Sequence, residues 1–170
     1  DDVGDSTAGG GGTDTVESTA ASHTLGGGVE NLVLLDAAVS GTGNNGANVI
    51  TGNANNNTLD GDTGNDTLFG GDGVDNLIGG GGDDTLDGGN GADTLTGGGD
   101  NDVLIVDDAG DVTAGNGGTD TVQSTASAYT IGTGVENLVL LDGAVSGTGN
   151  SSANVITGNG VANTLNGAAD

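Results

Sequence analysis

Seven aspartates recur on one spacing, and their surroundings are those of a ligand set. Asp66, Asp84, Asp102 and Asp120 stand eighteen residues apart, and Asp75, Asp93 and Asp111 fall midway between them. Glycines precede them: Gly61 and Gly64, Gly71 and Gly73, Gly80 and Gly82, Gly89 and Gly91, then Gly98. Such turns offer main-chain carbonyls and one carboxylate, all hard oxygen donors, with no thiol or imidazole beside them. This donor set suits Ca²⁺, which takes six to eight oxygens at roughly 2.3–2.6 Å in flexible geometry, whereas Mg²⁺ demands a near-ideal octahedron and gives up water reluctantly.

Neighbouring aspartates on one edge pair into three sites along Asp66–Asp120 and two along Asp75–Asp111. Asn57 with Asp75, and Asn48 with Asp66, add weaker candidates, since an amide oxygen ligates without charge. The expectation is about five to seven Ca²⁺ ions. Five of them, at two charges each, would lower the formal charge from −25 to −15. An aspartate at a turn also has a purely conformational use; a shared phase over seven turns favours ligation.

The elements that must position these groups are short strands. Residues 61–105 read as five consecutive nonapeptides: GDTGNDTLF, GGDGVDNLI, GGGGDDTLD, GGNGADTLT and GGGDNDVLI. Leu68, Leu77, Leu86, Leu95 and Leu104 supply one inward side chain every nine residues, as a three-residue strand requires. The remaining six residues must reverse the chain, and glycine at positions 1, 2 and 4 permits φ > 0 and close approach of carbonyls. Asp100 replaces glycine at position 4 of the fifth unit and tolerates the left-handed region.

These five units resemble the RTX (repeats-in-toxin) family of hemolysin-type calcium-binding repeats, whose pattern is Gly-Gly-x-Gly-x-Asp-x-apolar-x. The resemblance implies an all-β fold, a right-handed parallel β-roll or β-helix solenoid without helices. It also implies Ca²⁺ between stacked turns, held by the position-6 aspartates, Asn57 and turn carbonyls of the glycines named above. Secretion from a bacterium by a type I route, as part of a large repetitive protein, is the further implication.

Composition points the same way. The chain has 170 residues with 39 Gly, no Pro, Cys, Trp or Met, one Phe and one Tyr, too little for a conventional core. Lys and Arg are absent against 25 Asp and Glu, so no internal salt bridge to Lys or Arg can form and the neutralising charge must come from bound cations or a partner. That deficit excludes nucleic-acid binding and attachment to anionic membranes, and no apolar run is long enough to insert in a bilayer. With one His and no Cys or Lys, nucleophilic triads, zinc chemistry and phosphate loops lack their residues, so catalysis is not expected. Calcium, not cysteine usage, argues for an extracellular or cell-surface location, where the ion is abundant.

A larger repeat encloses the nonapeptides. Residues 1–64 align without gaps on 107–170, with GTDTV (12–16) on 118–122 and VENLVLLD (29–36) on 135–142, an offset of 106. The expected organisation is one continuous roll over 1–170: a first copy at 1–60, a calcium-rich section at 61–123 and the start of a second copy at 124–170, within a longer chain. Carried outward from Gly61, the nine-residue frame puts His23 and Tyr129, then Leu32 and Leu138, in the metal position of turns that should be metal-free. It assigns the two-residue shortening of the larger repeat to 36–42 and 142–148. His23 reads as a packed or half-exposed ring, and Thr58, Thr67, Thr85, Thr94 and Thr121 as outward strand residues.

Two functions fit. The favoured one is a calcium-dependent structural segment of a secreted surface or matrix protein, such as an adhesin, surface-layer or filament subunit, with self-association into arrays or filaments. The alternative is the export and folding domain of a secreted protease, lipase, epimerase or cytolysin.

Overall fold

The computed structural model describes residues 10–168; the ends of the roll expected over 1–170, at 1–9 and 169–170, lie outside the described residues. Eighteen strands and no helix occur among them. One face holds β1 (Thr15–Ser18), β3 (Asn31–Leu34), β5 (Val49–Thr51), β7 (Thr67–Asp72), β9 (Thr85–Asn90), β11 (Val103–Val106), β13 (Thr121–Ser124), β15 (Asn137–Leu140) and β17 (Val155–Thr157). The other holds β2 (Ser22–Thr24), β4 (Ser40–Thr42), β6 (Thr58–Asp60), β8 (Asn76–Gly81), β10 (Thr94–Gly99), β12 (Val112–Asn116), β14 (Ala128–Thr130), β16 (Ser146–Thr148) and β18 (Thr164–Asn166).

Alternate strands stack in parallel, as the pairings Leu68↔Leu86 and Leu77↔Leu95 illustrate. The chain is therefore a parallel β-solenoid, two strands to a coil, as the nonapeptide period predicts. The first face is a single nine-stranded sheet from β1 to β17, while the second is divided into β2–β12 and β14–β18. Between the faces runs a thin core in which Leu59, Leu68, Leu77, Leu86, Leu95 and Leu104 are fully buried. Each leucine is the second residue of its strand, and it faces the interior because side chains alternate across a strand.

The larger repeat is shortened elsewhere than the sequence frame suggests. The register between β1 and β3 is Thr15↔Asn31, and between β13 and β15 it is Thr121↔Asn137, sixteen residues instead of eighteen. β2 and β4 keep eighteen, Ser22↔Ser40, as do β3 and β5, Asn31↔Val49. The missing residues thus lie at 19–21 and 125–127, and 36–42 and 142–148 follow the regular course. A serine closes each tight turn: Ser18 Oγ accepts the Ala20 N–H and Ser124 Oγ the Ala126 N–H, both at 3.2 Å.

With the frame corrected, His23 and Tyr129 occupy the inward strand position, opposite Gly41 and Gly147, and both are buried. Leu32 and Leu138 likewise face inward, paired with Ile50 and Ile156. These residues are core, not occupants of the metal position. The nine-residue frame slips because two residues are missing from turns whose sequences, Thr-Ala-Ala at 19–21 and Thr-Ala-Ser at 125–127, carry no marker of the loss. At the division of the second face, Thr113 replaces the inward leucine of β12, and Tyr129 Oη donates to Thr113 Oγ1 at 3.3 Å and to the Asp111 carbonyl at 3.1 Å. Burial pushes the Tyr129 phenol up to about 12.

Candidate metal centres

Each metal-type turn occupies the six residues before a strand, and its backbone explains the glycines. Positions 2 and 4 adopt the left-handed region, as at Gly71 (φ 109°) and Gly73 (φ 129°). Asp100, at position 4, does the same with φ 69°, as its side chain permits. Gly64, Gly80, Gly82, Gly89, Gly91 and Gly98 share this geometry. Position 1 differs. A Cβ on Gly61 would overlap Asp66 Oδ2 and the carbonyl of Gly79 in the next turn, so what is required there is space, not a positive φ. Gly70 and Gly79 stand in the same relation to Asp75 and Asp84, and each also to the next turn's carbonyl; Gly88 and Gly97 stand so to Asp93 and Asp102.

The position-6 carboxylates form two ladders. Oδ1 of Asp84 accepts the Asp66 N–H at 2.8 Å, Asp102 that of Asp84 at 2.9 Å, and Asp120 that of Asp102 at 2.8 Å. On the other edge Asp93 Oδ1 accepts the Asp75 N–H and Asp111 Oδ1 the Asp93 N–H, both at 2.8 Å. The structure therefore brings the predicted aspartates together in the predicted pairs, eighteen residues apart. One oxygen of each carboxylate is consumed in joining rungs.

The second oxygen is not. Oδ2 of Asp66, Asp75, Asp84, Asp93, Asp102 and Asp120 is buried and has no hydrogen-bond partner among the described residues. An ionised carboxylate in that state is costly, and burial pushes these groups up: Asp66 and Asp93 to about 6 and Asp102 to about 7, with Asp75, Asp84 and Asp120 raised in the same direction. Neighbouring carboxylates add to this, Asp84 acting on Asp66 and Asp120 on Asp102. A hard divalent cation would satisfy all of it at once. The orphaned oxygen, and the next turn's carbonyl that meets it over Gly61, Gly70 and Gly79, are the donors such an ion needs. No three His, Cys, Asp or Glu side chains converge among the described residues, so main-chain carbonyls must supply most of the ligands.

Asp111 stands apart within the series. Its Oδ2 accepts the N–H groups of Asp107 at 3.2 Å and Asp108 at 3.1 Å, so its turn closes on itself. Its Oδ1 still serves Asp93.

Asparagine turns solve the same problem without charge. Asn57 Oδ1 accepts the Asn53 N–H of its own turn at 2.8 Å, and its Nδ2 donates to the Ala38 carbonyl of the preceding coil at 3.3 Å. Asn48 repeats this with Asn44 and Val29, and Asn154 with Asn150 and Val135. The amide N–H₂ thus engages a carbonyl of the neighbouring turn directly. Asn57, a candidate ligand by sequence, has both ends of its side chain engaged. A signal for this exists in the sequence: position 2 is also asparagine in GNNGAN, GNANNN, GNSSAN and GNGVAN, and Asn44 Nδ2 donates to the carbonyls of Gly26 and Val29.

Sequence reasoning missed two further features. Glu30 and Glu136, displaced from view by the slipped frame, fill position 6 of their turns: Oε2 of Glu136 accepts the Asp120 N–H at 2.8 Å and Oε2 of Glu30 the Asp14 N–H at 2.9 Å. An outer ladder also runs along position 5, from Asn65 to Asp83, Asn101 and Thr119, each N–H donating to the side-chain oxygen one coil earlier.

Comparison with known proteins agrees with this geometry. Residues 42–77, 69–104 and 88–122 match the RTX calcium-binding nonapeptide repeat, a unit of four copies. No curated protein and no solved structure matches the chain. The matched stretch contains all seven ladder aspartates and both asparagine turns that precede them, and section 42–122 belongs to the RTX calcium-binding nonapeptide repeats.

Proposed function

We propose that this chain is a calcium-dependent structural segment of a secreted bacterial surface or matrix protein, of the adhesin, surface-layer or filament kind, with Ca²⁺ seated between stacked turns. The observation that carries the calcium part is the set of six buried carboxylate oxygens without partners. The pairs Asp66–Asp84, Asp75–Asp93, Asp84–Asp102, Asp93–Asp111 and Asp102–Asp120 would hold five ions, with carbonyls of the intervening turns; the asparagine turns hold none. Bound there, Ca²⁺ supplies the positive charge that the chain, with no Lys or Arg, does not contain.

Folding is then gated by the metal. Without it, adjacent carboxylates repel and the entropy of 39 glycines is unopposed. With it, each site adds RT ln(1 + [L]/Kd), because the ion binds only the folded coil. Circular dichroism during chelation tests this: strand signal should fall with EDTA and return with Ca²⁺, and a spectrum indifferent to both would sink the proposal.

The structural role rests on the 106-residue repeat, which an extended scaffold uses and a single catalytic module does not need. Self-association into arrays or filaments belongs to this reading. Catalysis does not: the sole His is packed inside β2, and the ordered carboxylates are joined in ladders. The export-domain reading is separated from this one by the parent polypeptide, where further 106-residue copies favour the scaffold and an adjoining catalytic domain favours the enzyme.

A further inference from the structure

The turn at 132–136, Gly-Thr-Gly-Val-Glu, lacks the aspartate signature and lies beyond the matched repeats. It nevertheless faces the last unpartnered carboxylate. We propose that Glu136 and Asp120 form a sixth site for a Ca²⁺-type cation, at the seam where the second copy of the large repeat begins. This inference rests on the calcium reading above and adds to it a ligand type and a location.

Three observations converge. Asp120 has no solvent exposure, and its Oδ2 has no partner. A Cβ on Gly115 would overlap both that oxygen and the Gly134 carbonyl, so the two are brought to one point, just as Asp66 Oδ2 and the Gly79 carbonyl meet over Gly61. Glu136 then takes the role of the downstream aspartate, its Oε2 accepting the Asp120 N–H at 2.8 Å. Two carboxylates and a carbonyl, in a protein without Lys or Arg, make a donor set for a hard cation.

The choice of glutamate follows from the shortened coil. Asp120 and Glu136 are sixteen residues apart, and the N–H groups of Glu136 and Asn137 both turn onto the Asp120 carbonyl, at 3.2 and 2.9 Å. The chain therefore enters the turn on a different path from an eighteen-residue coil, and one more methylene lets the carboxylate reach the Asp120 N–H. The first copy supplies a contrast. Glu30 makes the same bond to Asp14, but Asp14 Oδ2 already accepts the Gly10 N–H at 2.9 Å, so the oxygen that is orphaned on Asp120 is satisfied here and no site is assigned.

Bound Ca²⁺ counted by equilibrium dialysis on the intact chain, for the wild type, Glu136→Gln and Glu30→Gln, tests the proposal. Six ions are expected in the wild type and in Glu30→Gln, one for each orphaned oxygen, and one fewer in Glu136→Gln, whose amide oxygen still accepts the Asp120 N–H. A full wild-type complement retained by Glu136→Gln overturns the site while leaving the calcium reading intact; a wild type that takes up no Ca²⁺ overturns both. Should Glu136→Gln lose its strand spectrum in saturating Ca²⁺, the wild-type count decides, with six supporting the site and five or fewer overturning it.

Discussion

The N–H of Asn57 donates to Asp75 Oδ1 at 2.7 Å, so an amide turn stands directly on a carboxylate turn and the two chemistries share one ladder. The side chains differ by N–H₂ against O⁻ and little else. That single difference decides whether the turn closes by itself or needs an ion.

Replacing Asn57 with aspartate should therefore convert one turn type into the other. Asn57→Asp forfeits the bond to the Ala38 carbonyl and buries an unpaired charge, a loss of about 1–3 kcal/mol in chelator. In Ca²⁺ the variant should bind one ion more than the wild type. Calorimetric titration reads the count, and an unchanged number contradicts the interpretation.

The raised carboxylates set a pH dependence whose sign is opposite to that of a salt-bridged protein. In the ion-free fold burial pushes Asp66 and Asp93 up to about 6 and Asp102 up to about 7, against 3.8 for an ordinary Asp. The folded form thus holds protons that the unfolded chain has already released. The stability associated with these groups is fully present below about 3.8, is lost as pH climbs through about 6 to 7, and is level above that. In chelator, lowering the pH from 8 to 5 should restore part of the lost strand signal, followed by circular dichroism. A fall instead would show that burial does not govern these carboxylates.

Glycines of one turn should respond unequally to alanine. A Cβ on Gly79 would overlap Asp84 Oδ2 and meet the Gly97 carbonyl at 2.5 Å, whereas on Gly81 its nearest neighbour is Thr63 Cγ2 at 3.9 Å. Gly79→Ala should cost about 1–3 kcal/mol and weaken Ca²⁺ binding at Asp84. Gly81→Ala should be nearly neutral, within about 0.5 kcal/mol. Paired thermal melts in Ca²⁺ distinguish them.

At the division of the second face, Tyr129→Phe removes the bonds to Thr113 and Asp111 but keeps the ring. It should cost about 1–2 kcal/mol, with hydrogen exchange rising in β14 (Ala128–Thr130) before the flanking strands. Equal acceleration across the whole coil would show that Tyr129 does not anchor the seam.

The calcium-rich section was legible because its period is carried by residue types with one use each. Leucine at position 8 marks the strand, glycine the turn and aspartate the ligand, and Asp66 through Asp120 stand where that pattern puts them. What failed was counting through residues that mark nothing. The loss of two residues at 19–21 and 125–127 leaves no Gly, Asn or Asp as a sign, so the nine-residue frame puts His23 and Leu32 at position 6 where the strands hold them inward at position 8, and it passes over Glu136 as a position-6 carboxylate. Asn57 was ambiguous for another reason: an amide oxygen and a carboxylate oxygen look alike as donors, and only the N–H₂ bond to Ala38 tells them apart.

The two faces of the coil are joined along their length to different extents, nine strands without interruption on one and a break after β12 (Val112–Asn116) on the other. In mechanical terms, the unbroken face is a spine and the broken one a notch. A break of this kind would concentrate bending where Tyr129 bridges the gap by side-chain bonds in place of a ladder. Because the sequence around the notch returns at an offset of 106 residues, a longer array of such repeats would behave as a jointed rod, stiff within each segment and articulated at regular intervals.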